Sequence, residues 1–358
     1  MSPMSGNLSR WTILVIHPGA VGDVLLSRQA LRALKAGFPG HEMGLLAGGA
    51  IGRLLHTCGE VDAVFTLESD ALTGLLAGQA SLNHQLRAWL RRCELVVCWM
   101  DDPDGQLRRT LQDLGVPRVI ARSPACAEGL ARHQADRLID TLGGVVETGW
   151  QEAGLCLPPD VQRAGMDRLA AEGLDRRDRI VVLHPGSGSA HKCVSPAVFA
   201  GVASWLQERG MTPVLVVGPA DAERGLTVRD GCAMRPLLVE ETDLLAMAGV
   251  LGQAALFIGH DSGLTHLAAA LSIPTVALFG PTDPARWAPR GAHVTVVRGE
   301  PCRCEGWEAV RACTGKPCLQ IQPDNLHAAC AQFLRQPHNL GPPLVPGSGR
   351  LVLPGQLC

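Results

Sequence analysis

The residues best suited to chemistry sit in short turns between apolar runs. Gly259-His260-Asp261-Ser262-Gly263 forms one such turn, with Thr265 and His266 just beyond it. Small residues let backbone N–H groups approach a ligand, and a helix N-terminus adds partial positive charge, so this turn suits an anionic group such as a phosphate. The plainer reading is that Asp261 and Ser262 cap a helix. A second turn, His184-Pro185-Gly186-Ser187-Gly188-Ser189-Ala190-His191-Lys192, offers backbone amides, two hydroxyls and one ammonium. Together these could hold a pyrophosphate leaving group, with Lys192 neutralising the developing charge. A third turn, Gly19-Ala20-Val21-Gly22-Asp23, places a carboxylate at a helix start. With a reference pKa of ~3.9, such an Asp is ionised at neutral pH and is a weak base, so a catalytic effect would come from positioning.

Each turn follows a run of strand character. Leu256–Ile258 and Thr275–Phe279 flank the helix-forming stretch Leu264–Leu271, which makes a βαβ unit. Its His266 and the later Gly280-Pro281-Thr282-Asp283-Pro284 then fall near the carboxyl edge of a parallel sheet, where open α/β sheets bind ligands. Ile13–Gly19 and Ile180–Gly186 echo each other as buried strands entering glycine turns, and helical patterns follow at Val24–Ala36 and Pro196–Arg209. Each half therefore opens like a Rossmann-type domain. Further strands are expected at Met43–Leu46, Ala63–Leu67, Leu95–Trp99 and Thr212–Val217. The charged stretch between Leu157 and Arg179 reads as a connector, which sets the expected domains at 1–160 and 161–336, with an irregular Pro- and Gly-rich tail at 337–358.

Two further clusters could bind metal. Asp102-Pro103-Asp104 has the D-x-D spacing of a Mg2+ site, but the doubly wound pattern of both halves and the helix N-terminus with Lys192 favour charge stabilisation without a cation, leaving an acidic surface loop. Cys302, Cys304, Cys313 and Cys318 form a local cysteine cluster able to hold Zn or Fe tetrahedrally. Such a site would be structural, because four protein ligands leave no open coordination position.

Bulk properties exclude several classes. At 358 residues, with 46% hydrophobic and 18% charged residues, the chain can fill two cores. A net charge of -2 gives no footprint for nucleic acid or anionic lipid. The N-terminal apolar run Trp11–Ile16 is too short for a signal-peptide core, and Gly263–Thr282 is broken by His266, Ser272 and Pro274, so a cytoplasmic protein is expected. The 13 cysteines, several of them isolated in apolar surroundings (Cys58, Cys93, Cys98, Cys156), read as reduced thiols. Neither glycine turn has the G-x-G-x-x-G spacing of a dinucleotide-dependent dehydrogenase.

The pattern D-S-G-x-T-H-L-A-A-A-L followed by P-T-V-A-L-F-G-P-T-D-P-x-R-W-x-P closely resembles glycosyltransferase family 9, the bacterial heptosyltransferases, and Gly19–Leu25 matches that family's G-x-x-G-D-x-L motif. The resemblance runs from about Thr12 to Leu334. It implies an α/β protein of GT-B fold, two Rossmann-like domains with parallel sheets facing each other across a cleft, and an inverting, metal-independent transfer of heptose from ADP-heptose to a lipopolysaccharide inner-core acceptor. It also implies that Asp23 is the general base, with Gly19 and Gly22 in the acceptor-side loop, and that Lys192 is catalytic. The nucleotide sugar would lie against Gly186, Ser187, Gly188, Asp261, Ser262, Gly263, Thr265 and His266, with Asp221 or Glu223 on the ribose. The family commonly carries Lys, one residue, then Trp-Pro where this chain reads Lys192-Cys193-Val194-Ser195-Pro196, so the loop path there departs from the pattern. The expected partners are ADP-heptose or a related nucleotide sugar and a lipid-linked saccharide, without nucleic acid. A peripheral contact with the inner face of the cytoplasmic membrane has Arg87, Arg91 and Arg92 as candidates beside the plainer reading of a solvated helix face. Alternatives on the same frame are another sugar or a protein acceptor, a nucleotide-sugar epimerase, and a sugar-nucleotide-binding protein without catalysis.

Overall fold

The computed structural model describes residues 11–69, 71–77, 82–123, 132–147 and 153–334, and the tail expected over 337–358 lies outside them. The chain divides into two compact units. The first is Met1–Gln151 with Asp243–Leu245 and Pro284–Trp287, and the second holds the remainder from Glu152 onward.

In the first unit, β1 (Thr12–Ile16), β2 (Glu42–Ala47), β3 (Ala63–Thr66), β4 (Cys93–Cys98) and β5 (Arg118–Ala121) form an all-parallel sheet of order β3-β2-β1-β4-β5. β1 is buried at every position, as its unbroken apolar sequence requires of a central strand covered on both faces. Leu14, Ile16, Val96 and Cys98 pack with Leu86, Leu107 and Leu111 of the covering helices. The single helix expected at Val24–Ala36 is two, Val21–Leu26 and Arg28–Gly37. The break is local chemistry: the buried Ser27 hydroxyl donates to the Val24 carbonyl at 2.7 Å and competes with the helix ladder. Beyond the break, Arg28 and Arg32 both reach the buried Glu60 carboxylate, at 2.8 and 2.6 Å.

The second unit contains β6 (Ile180–His184), β7 (Thr212–Val217), β8 (Leu237–Glu240), β9 (Leu256–His260), β10 (Thr275–Phe279) and β11 (Val294–Arg298), all parallel, in the order β11-β10-β9-β6-β7-β8. Strand order reverses between β9 and β6, the point at the carboxyl edge where open α/β sheets bind ligands. In the first sheet the same reversal falls between β1 and β4. Phe199 on the helix Pro196–Gln207 is fully buried among Leu183, Leu215 and Ile258, a burial contributing about 1.5–3 kcal/mol. The charged stretch read as a connector contains the helix Pro159–Ala170, which belongs to the second unit and buries Val161, Gly165 and Leu169. A Cβ on Gly165 would lie 2.0 Å from the Gly249 carbonyl oxygen, so the helix docks through a residue with no side chain. Cys156 is disulfide-bonded rather than reduced, while Cys58, Cys93 and Cys98 are free thiols. Among the described residues no helix is long and apolar enough to cross a membrane.

Candidate active site

The second unit brings two of the three sequence turns together. β6 and β9 pair in parallel, with His184 opposite Gly259, so the turn after each strand leaves the same edge. The helix Gly263–Ala270 begins at that edge, with Ser262 as its N-cap accepting from the Thr265 N–H. Gly259 and His260, expected in the turn, instead complete β9. Asp261 has a different task from the expected cap. Its Oδ2 accepts from Lys192 Nζ and from the Thr282 hydroxyl, both at 2.7 Å, and its Oδ1 lies 3.9 Å from His266 Nε2. Burial alone would raise this carboxyl, but His266, Lys192 and Thr282 outweigh it and hold the pKa down to about 2. The Asp261 carbonyl accepts the Ser187 hydroxyl at 2.7 Å, which stitches the two turns to each other. The Thr265 hydroxyl donates inward to the His260 carbonyl, so Thr265 shapes the turn from below.

His260 is the residue sequence reasoning missed. Fully buried, it donates through Nδ1 to the Gly186 carbonyl at 3.2 Å and accepts the Val194 N–H on Nε2 at 2.9 Å. Burial lowers its pKa to about 3, so it is neutral and can make both contacts at once. This answers the departure from Lys-x-Trp-Pro. Val194 is buried, its N–H is held by His260 and its carbonyl by Arg224, while Ser195 caps the next helix.

The two ribose candidates separate. Asp221 packs under the second turn, where a Cβ on Gly186 would lie 2.0 Å from its Cγ, and its Oδ2 is 4.0 Å from His184 Nε2. Glu223 is exposed in the first turn of the helix Ala222–Asp230. Gly188 has open space where a Cβ would be, so the turn is not sterically closed there.

In the first unit, Asp23 accepts the Ala20 N–H on Oδ2 at 3.1 Å, which orients its carboxylate at the head of its helix. The Gly19 N–H donates to His17 Nδ1 at 3.2 Å, and a Cβ on Gly19 would meet both His17 and Asp23 within 2.8 Å. His17 is therefore a second missed residue: buried, with its pKa pushed down by that burial to about 4, it underlies the whole Gly19–Asp23 turn. Gly22 lies within the helix Val21–Leu26. The same sheet edge carries a cavity of about 620 Å³ lined by residues including Met100, Asp101, Asp102, Arg108, Arg122 and Ser123. Asp102 accepts the Leu107 and Arg108 N–H groups at 3.0 and 3.1 Å, which accounts for its place in the D-x-D spacing as a helix cap. The arginines Arg87, Arg91 and Arg92 do not share one solvated face: Arg91 is exposed, whereas Arg87 and Arg92 are half-buried and Arg92 packs 5.9 Å from the Trp89 ring.

The cysteines at the end of the second unit also converge. The Cys302 and Cys304 sulfurs are 2.7 Å apart, and the Cys302, Cys304 and Cys313 sulfurs all lie within 4.8 Å of one another. The hydrogen bond with Cys304 lowers the Cys302 thiol, while that with Cys302 raises Cys304 to about 12. Buried Cys318 stands outside this group of three, so the sulfurs that close on one another are three of the four expected. Soft sulfur donors at this spacing suit Zn or Fe.

Two parallel sheets, each with a glycine turn at its point of reversed strand order, define an α/β protein of the GT-B fold. Solved structures share it. The glycosyl transferase family 9 protein of Veillonella parvula DSM 2008 superimposes with a TM-score of 0.76 at 19% identity, covering 90% of this chain and 97% of that one. The heptosyltransferase WaaC of E. coli, solved with ADP, gives 0.64 at 17% identity, covering 90% and 99%. Residues 152–312 match glycosyltransferase family 9 (heptosyltransferase). Lipopolysaccharide heptosyltransferase 3 of Escherichia coli (strain K12) is 33% identical over 126 residues, which are 34% of this chain and 37% of that protein. The chain thus spans about a third of the length of the first curated relatives it matches.

Proposed function

We propose that this protein is an inverting glycosyltransferase that moves heptose from ADP-heptose to the inner core of lipopolysaccharide without a catalytic metal. The observation that carries this reading is the Ser187–Lys192–Asp261 arrangement at the shared edge of β6 and β9, a ready diphosphate site inside the segment that matches the family. The ADP bound to the E. coli relative supports the same choice of nucleotide.

In the reaction, an acceptor hydroxyl oxygen attacks the anomeric carbon from the face opposite the nucleotide. The new glycosidic C–O bond forms as the bond to the β-phosphate oxygen breaks, and ADP leaves with the electron pair. Asp23 takes the hydroxyl proton; as a weak base it acts by position, with its Ala20 contact fixing the carboxylate. Lys192, held by Asp261, meets the charge growing on the diphosphate together with the amides of Gly186, Ser187 and Gly188 and those of Ser262 and Gly263. His266 supports Asp261 from its other oxygen. We assign the ribose to exposed Glu223 and give Asp221 the task of shaping the turn at Gly186. The acceptor is assigned to the first unit, where the cavity beside β4 and β5 presents Arg108 and Arg122 to an acidic saccharide. A lipid-borne acceptor brings the protein to the inner face of the cytoplasmic membrane as a peripheral partner. The four-cysteine cluster is assigned a structural Zn or Fe, apart from the reacting atoms.

The test is ADP release from ADP-heptose by wild type and Asp23→Ala, with and without a Kdo-bearing lipid A acceptor. Acceptor-dependent release that disappears in the variant, with ADP binding kept, is expected. Tight ADP-heptose binding without release on this acceptor would sink the acceptor assignment, and absence of binding would sink the donor.

A further inference from the structure

The segment that carries the cysteine cluster also reaches the Lys192 turn. Lys316 Nζ is 3.2 Å from His191 Nδ1, one residue before Lys192. Lys192 Nζ in turn lies 5.7 Å from the centre of the Trp307 ring. Trp307 is 42% exposed, in a unit whose other large apolar side chains are mostly buried, so its ring faces solvent beside a cation rather than filling the core. Trp307 lies in the first turn of the short helix Gly306–Ala312 and Lys316 four residues beyond its end, with Cys302 and Cys304 before the helix and Cys313 and Cys318 after it. The sulfurs of Cys302, Cys304 and Cys313 close on one another, which ties the two ends of that helix together. Lys316 sits in left-handed backbone at φ 40°, a conformation costly for a residue with a side chain, and its ammonium is aimed at the turn all the same.

We propose that Trp307 and Lys316 belong to the nucleoside-diphosphate site, and that the cysteine cluster is the clasp that holds both against the Lys192 turn. The proposal rests on reading that turn as the donor site, and deepens it. A diphosphate carries more negative charge than one ammonium and a set of amides can match. Lys316 supplies a second ammonium within reach of the turn, and His191 holds it until phosphate replaces the imidazole as acceptor. The Trp307 ring covers one side of the Lys192 charge, where it excludes water and strengthens the attraction to phosphate. Because the clasp lies outside the turn itself, its thiols act through position alone.

Isothermal titration of ADP and AMP against the full-length protein tests this, using wild type, Lys316→Met, Trp307→Ala and the double variant Cys304→Ser/Cys313→Ser, each checked for cooperative unfolding. Loss of one charge-assisted contact to the terminal phosphate predicts about tenfold weaker ADP binding in Lys316→Met, with AMP affinity held within about twofold. Trp307→Ala and the double serine variant are expected to weaken ADP binding about fivefold, the latter with a lowered Tm. Unchanged ADP affinity in both Lys316→Met and Trp307→Ala overturns the assignment of these residues. Unchanged affinity in the double serine variant overturns the clasp. If wild type binds neither nucleotide, the donor reading of the turn fails, and this inference fails with it.

Discussion

Lys192 and Asp261, 69 positions apart in sequence, form a 2.7 Å ion pair at the sheet edge, with the carboxylate nearly buried and the ammonium about a fifth exposed. The pair is a device for holding a cation still. Asp261→Asn keeps the shape but frees Lys192 to move, and Lys192→Met removes the charge outright. Each is expected to lower kcat/KM for ADP-heptose by about 100-fold, the scale of losing one preorganised charge stabiliser. The double variant is expected to be no worse than the weaker single one, since both act on one unit. Steady-state kinetics of the three variants check this; multiplicative losses would mean that the two residues act separately.

Gly186 gives a prediction about shape. Its missing Cβ is the space occupied by the Asp221 carboxylate, 2.0 Å away. Gly186→Ala is expected to cost about 1–3 kcal/mol, the range for forcing atoms into a filled site. Asp221→Ala on top of it should recover most of that loss while leaving the turn intact, which denaturant titration of the cycle would show as strong non-additivity. Additive losses would place the strain elsewhere.

How much of this was legible in the sequence depended on range. β10 and β7 fall at their expected bounds because each is an unbroken apolar run ended by a turn. β5 and β8 went unread: each has four residues with little buried surface, at a sheet edge where neighbours rather than composition decide the strand. The role of Asp261 was hidden for a different reason. A capping residue and a lysine partner look alike in a D-S-G string, and only the pairing of β9 with β6 on one side and β10 on the other delivers Lys192 and Thr282 to it. The same holds for His260, whose two bonds reach residues 66 and 74 positions away. The break at Ser27 turned on one hydroxyl rotamer, below the resolution of periodicity.

Titration supplies a third prediction. Burial lowers His17 to about 4 and His260 to about 3, from an ordinary value of 6.5. The folded state therefore refuses protons that the unfolded chain accepts. Their contribution to stability is complete above pH ~6.5 and falls as pH drops towards the folded values, at up to about 1.4 kcal/mol per pH unit for each group. Asp261 has the opposite sign of origin but the same outcome further down: its depressed carboxyl adds stability above pH ~4 that is lost as pH falls towards about 2. His17→Asn, whose amide oxygen can still accept the Gly19 N–H, should flatten the loss between pH 6.5 and 4 by up to one proton's worth. Urea unfolding at half-unit pH steps measures the slope directly; an unaltered slope would show that His17 is already charged in the folded protein.

The cysteine cluster supplies the last. With Cys302 lowered and Cys304 raised, the pair shares its protons unequally, and a metal would displace them and take all four sulfurs as thiolates. Protein purified without chelator is expected to carry about one Zn or Fe per chain by elemental analysis, and Cys302→Ser/Cys313→Ser to carry essentially none. Because four sulfur ligands leave no coordination site for a reactant, stripping the metal should lower Tm by several degrees and leave kcat at saturating donor within about twofold. The clasp adds a direction that a purely structural site would lack: KM for the donor should rise on metal removal while kcat holds. A fall in kcat with KM unchanged would instead place the metal in the chemistry, against the separation of the cluster from the reacting atoms.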